Sequence, residues 1–117
     1  MIGPPPGTRV YLACGVTDMR RGFDSLSAQV EGVLHLDPYG GAVFIFRGRR
    51  GDLLKALYWD GQGLVLYAKR LEKGRFVWPQ AKQGTVSLTA AQMSMLVEGI
   101  DWRQPVWTAR PQTEIQV

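Results

Sequence analysis

One cysteine and one histidine in 117 residues exclude more chemistry than anything else in this chain. Cys14 has no second thiol to join, so a disulfide within the chain is impossible. With His35 it supplies at most two of the four ligands of a structural zinc site. A nuclease built on a histidine pair with a tyrosine nucleophile cannot be assembled, and no glycine spacing ahead of a Lys-Ser or Lys-Thr pair forms a P-loop. No apolar run approaches the roughly 18 residues of a membrane span. The opening MIGPPPGTRV lacks a charged region followed by an apolar one, so a soluble cytoplasmic protein with no membrane partner is expected. Cys14 reads as a small buried hydrophobe, since no base neighbours it in sequence. No cofactor is expected.

Acids are also scarce, 10 against 14 lysines and arginines, and the imbalance is local. Eight cations, Arg47, Arg49, Arg50, Lys55, Lys69, Arg70, Lys73 and Arg75, fall within 29 residues against Asp52, Asp60 and Glu72, a net of +5, while the rest of the chain sums to −1. A dense basic segment is the electrostatic footprint of a protein that meets nucleic-acid phosphates. A solvated basic face would carry the same charge, because net charge speaks to partners and not to fold. Gly48-Arg49-Arg50-Gly51 and Lys73-Gly74-Arg75 can present backbone N–H groups and guanidinium forks to phosphates, although any tight surface turn needs similar glycines. Trp59 and Tyr67 within the segment have two readings: packing in a sheet, or stacking on unpaired bases beside the cations.

Periodicity outlines a single domain of residues 8–103, after an extended Pro/Gly-rich lead at 1–7 and before a mobile tail at 104–117. Val10 to Cys14 reads as a strand closed by Gly15. Thr17 is placed to cap a helix over Asp18 to Leu34 with Met19, Phe23, Leu26, Val30 and Val33 as its apolar stripe. His35 then sits at the helix C-terminus, where the dipole accounts for it. After the turn at Asp37 to Gly41, Ala42 to Phe46 forms a further strand. Leu53 to Trp59 and Leu64 to Arg70 flank Asp60-Gly61-Gln62-Gly63 as a hairpin. An even loop puts Lys55, Leu57 and Trp59 on one face and Leu54, Ala56, Tyr58, Tyr67 and Lys69 on the other. In either register, Arg47 to Arg50 and Lys69 to Arg75 meet at the open end of the hairpin. Arg75 to Pro79 reads as a short strand and Gln80 to Gly84 as a polar loop. Thr89 and Gln92 have capping-box spacing ahead of a short helix ending at Gly99.

Strand transfer and hydrolysis of DNA use paired carboxylates to hold metal ions. Here Asp18 reads as a helix-start residue, Asp60 as a turn residue, Asp52 and Glu72 as partners of nearby cations, and Asp24 and Glu98 as solvated helix faces. No catalytic and no metal site is assigned.

Three separated strings, CGVTDMRRGFDSL, FRGRRGDLLKALYWDGQGLVLYAKRLEKGRFVWP and LTAAQMSMLVEGIDWR, in this order over about residues 8–103, closely resemble the second-reading-frame protein of the bacterial insertion-sequence-66 family, the type called TnpB. The longer RNA-guided nucleases of the same name are unrelated. The resemblance implies a role in transposition beside a separate transposase that carries the catalytic acids. It transfers no catalytic residue. The reading is a small α+β domain, an antiparallel sheet with a central hairpin packed by two helices, that acts as a non-catalytic accessory protein. Its partner is DNA, bound at the eight cations with Trp59 and Tyr67 as candidate stacking residues. The alternative is an adaptor that docks on the transposase through the same surface.

Overall fold

Ala42 to Phe46 is apolar throughout because the strand it seeds is covered on both sides, as the innermost strands of a sheet with helices on each face must be. The structure, a computed structural model, describes residues 4–103. In chain order the elements are β1 (Val10–Val16), α1 (Phe23–Gly32), β2 (Val43–Arg47), β3 (Leu53–Trp59), β4 (Leu64–Arg70), β5 (Thr85–Leu88) and α2 (Ala90–Val97). They build an α+β domain around a five-stranded sheet in the order β4-β3-β2-β1-β5. All pairings are antiparallel except β1 with β2, which run parallel and are joined through α1. The β3–β4 hairpin therefore occupies one side of the sheet with β4 at its edge, rather than the centre. Among the described residues no helix is long and apolar enough to cross a membrane.

Strand alternation divides the core in two. Val10, Leu12, Val43, Ile45, Leu54 and Ala56 face Met93, Leu96 and Val97 of α2 together with Phe76, Trp78 and Trp102. Ala13, Phe44, Phe46 and Leu57 face Leu26 and Val30 of α1. Cys14 is buried, which pushes its thiol pKa up.

Helix α1 starts at Phe23, five residues later than its cap pattern implies, with Gly22 as N-cap and no side-chain cap. Thr17 serves the fold differently. It is buried, its N–H donates to the Arg47 carbonyl at 2.9 Å, and its Oγ1 accepts from Gln29 Nε2 at 3.2 Å. Phe23 and Val33, at the two ends of the helix, are exposed, and Ser27 takes a buried position beside Leu26. His35 lies beyond the helix in the left-handed region, φ 56°.

The hairpin has the even register, with Trp59 opposite Leu64 and Leu53 opposite Arg70 across the four-residue turn. Arg75 to Pro79, expected as a short strand, joins no strand ladder. Strand β5, for which the sequence pattern carries no signal, pairs with β1. The lead's residues 1–3 and the tail at 104–117 lie outside the described residues.

Helix α2 is capped reciprocally: Gln92 N–H donates to Thr89 Oγ1 at 3.0 Å and Thr89 N–H donates to Gln92 Oε1 at 2.9 Å. Thr89→Ala is expected to cost about 1 kcal/mol. In urea titration this lowers the unfolding midpoint and leaves the m-value unchanged.

Candidate nucleic-acid interface

Two loops at the open end of the hairpin carry the exposed cations, and backbone bonds tie them together. The β2–β3 turn is closed by Gly51 N–H donating to the Gly48 carbonyl and Gly48 N–H donating to the Leu53 carbonyl, each at 3.1 Å. The chain leaving β4 folds back over it. Leu71 N–H donates to the Asp52 carbonyl at 2.8 Å, Phe76 N–H to the Gly51 carbonyl at 3.0 Å, and Trp78 Nε1 to the same carbonyl at 2.9 Å. Gly51 has φ 80°, and a Cβ there would stand 3.0 Å from Arg75 Cδ and 3.3 Å from Trp78 Nε1. Only glycine supplies both that backbone angle and that closeness.

Arg49, Arg50, Arg70, Lys73 and Arg75 are exposed on this double loop. Among the described residues the ion pairs are Arg20 with Asp18 and Arg103 with Asp101, so none of the five cations is neutralised by a carboxylate. Asp52 and Glu72, expected from sequence to be their partners, form no ion pair among the described residues. Arg47 stands behind the turn, half-buried, its guanidinium 5.3 Å from the centre of the Trp78 ring and its Nε 3.5 Å from the Gly48 carbonyl. Stacking on an indole holds an arginine fork in place while leaving donors free.

A family model described as IS66 Orf2-like protein matches residues 8–107. The chain belongs to that family. Membership ties it to an accessory role in transposition. Two curated proteins of Sinorhizobium fredii, both named as uncharacterized, are similar along nearly their whole length. The protein y4hO is 51% identical over 95% of this chain and 96% of its own, and y4jC is 44% identical over 91% and 94%. No solved structure matches.

In this IS66 Orf2-like protein the remaining candidate residues are held elsewhere. Lys55 and Lys69 point to opposite faces of β3–β4. Lys55 Nζ donates to the Met19 and Arg21 carbonyls at 2.6 and 2.8 Å, fastening the approach to α1. Lys69 Nζ donates to the Val97 carbonyl at 2.7 Å, where a cation suits the C-terminus of α2. Trp59 is next to the hairpin turn, six strand positions from Leu53, and meets Tyr39 edge-on at 5.8 Å. Tyr67 packs against the α2-side core. Neither ring lies beside the exposed cations in the strand register. Lys82, isolated in a polar loop, gives no sequence signal, yet it lines a cleft together with Arg47.

The acids are dispersed. Hydrogen bonds from the Arg20 side chain and N–H hold the Asp18 carboxyl well below the usual range. The Gly63 and Gln62 N–H groups lower that of Asp60. Among the described residues no three of His, Cys, Asp and Glu gather closely enough to hold a metal ion.

Proposed function

We propose that this protein is a non-catalytic accessory factor of transposition that binds DNA in the cytoplasm, with backbone phosphates seated on Arg49, Arg50, Arg70, Lys73 and Arg75 and with Arg47 behind them. The observation that carries this reading is the double loop itself: five exposed cations from two chain segments, unpaired by acids among the described residues and locked together through the Gly51 carbonyl. A surface with a net positive charge, cations outnumbering Asp52 and Glu72 and fixed before the partner arrives, binds a polyanion with little ordering cost. Lys55 and Lys69, engaged by the Met19, Arg21 and Val97 carbonyls, contact DNA less than the exposed five. Chemistry on DNA is left to the separate transposase.

Fluorescence anisotropy on labelled duplex and single strands at low salt tests the reading, with magnesium or manganese added to look for cutting or joining. Binding without cleavage is the expected result. Absence of affinity for either DNA would hand the surface to the transposase, in which case the two proteins should co-purify after nuclease treatment.

A further inference from the structure

Strands β1 and β2 run side by side until Leu12 faces Ile45, and then they part. The next pairing is Val16 with Arg47, so β1 advances four positions while β2 advances two. Extra residues in one strand bend it away from its neighbour, and such irregularities are frequent beside functional sites. The chain at 79–84 follows β1 outward: Cys14 N–H donates to the Gly84 carbonyl at 3.0 Å, and a Cβ on Gly15 would lie 3.4 Å from the Lys82 carbonyl.

The result is a cleft of about 590 Å³ at the carboxyl ends of the parallel pair, with Gly15, Val16, Arg47, Pro79 and Lys82 in its lining. Crevices outside the carboxyl ends of parallel strands are where open α/β sheets hold their ligands. Two cations and no acid line this one. Val16, 53% exposed, and Pro79 supply an apolar wall. Arg47 belongs both to the cleft and to the back of the β2–β3 turn, so the cleft adjoins the proposed DNA surface. The comparable cleft at the amino ends of the same strands, about 490 Å³, sets Arg9 against Asp37 and carries no such charge bias.

We infer that this cleft seats one unpaired nucleotide at the end of a DNA strand, with its phosphate on Arg47 and Lys82 and its sugar or base against Val16 and Pro79. The inference rests on the DNA-binding reading above and adds to it a preference for strand ends that are frayed or overhanging. Pockets of roughly 300–1,000 Å³ enclose single small ligands, a range that admits a nucleotide and not a base-paired duplex.

The test compares a duplex bearing a short single-stranded overhang with a blunt duplex carrying the same number of phosphates, by anisotropy at one salt concentration. The wild type should bind the overhang about tenfold tighter, the effect of one good charge-assisted contact. Lys82→Ala removes the second cation and Val16→Trp fills the cleft; both positions are exposed, and circular dichroism checks that each variant folds. Each should bring the overhang-to-blunt ratio near one while leaving blunt-duplex affinity within about threefold of wild type, as expected for loss of one exposed charge or none. A wild-type ratio of one, or a ratio that survives both variants, overturns the cleft and leaves the DNA surface standing. Failure to bind either DNA overturns the DNA surface itself and the cleft with it.

Discussion

Affinity for duplex DNA is expected to fall by roughly a hundredfold to a thousandfold between about 50 and 200 mM salt, because each phosphate neutralised contributes about −0.9 to the slope of log affinity against log salt. That range corresponds to about four to six contacts, the number the five exposed cations and Arg47 offer. Arg49→Ala with Arg50→Ala removes the tip of the β2–β3 turn and should lower the slope by up to about two units. The fold should be untouched, since neither arginine makes an ion pair among the described residues and both are exposed. Anisotropy titrations at four or five salt concentrations measure both slopes. A double variant that binds with the wild-type slope would remove the turn from the interface.

Trp78 is the second position where a large effect is expected. Its ring is nearly buried, meets Phe76 edge-on at 5.8 Å, lies under the Arg47 guanidinium, and donates from Nε1 to the Gly51 carbonyl. Truncation to Ala should cost about 3–5 kcal/mol. Against a total stability of about 5–15 kcal/mol for a domain of this kind, that is a large share of the margin, read as a strongly lowered urea midpoint. Trp78→Phe keeps most of the packing and removes the indole N–H, leaving the Gly51 carbonyl with the Phe76 N–H alone. Its expected cost is about 0.5–1.5 kcal/mol for the lost hydrogen bond, read as a lower urea midpoint. A Phe variant as stable as wild type would mean that the indole bond does not hold the double loop.

Local signals are legible where they are complete within a few residues. The capping box of α2 and the β3–β4 hairpin follow from side chains that act on their own neighbours, and the even turn fixes which face each hairpin residue takes. Helix α1 departs from its pattern because Thr17-Asp18 has the chemistry of a cap while Thr17 Oγ1, the atom a cap uses, accepts from Gln29 Nε2, 12 positions away. Phe76 and Trp78 alternate as in a strand because both point into the core, but no neighbouring strand is there to pair with. In β5 only Val86 and Leu88 are apolar, too few for a period to emerge; its existence depends on β1. The meeting of the two basic loops follows from hairpin geometry alone. The engagement of Lys55 and Lys69 by carbonyl oxygens does not, since backbone acceptors leave no mark in a sequence.

The division of the core has a consequence for synthesis on the ribosome. By Arg70 the chain has delivered β1 to β4 and α1, enough to cover one face of the sheet. The other face still exposes Leu12, Ile45, Leu54 and Ala56, and the large groups beyond the four strands that cover it arrive between Leu71 and Trp102. A nascent or truncated product ending near Arg70 is thus a sheet with one bare apolar side and an open β4 edge, the kind of surface that aggregates or is degraded. A copy of the gene interrupted between the codons for Arg70 and Trp102 should yield no smaller working domain, only a substrate for proteases.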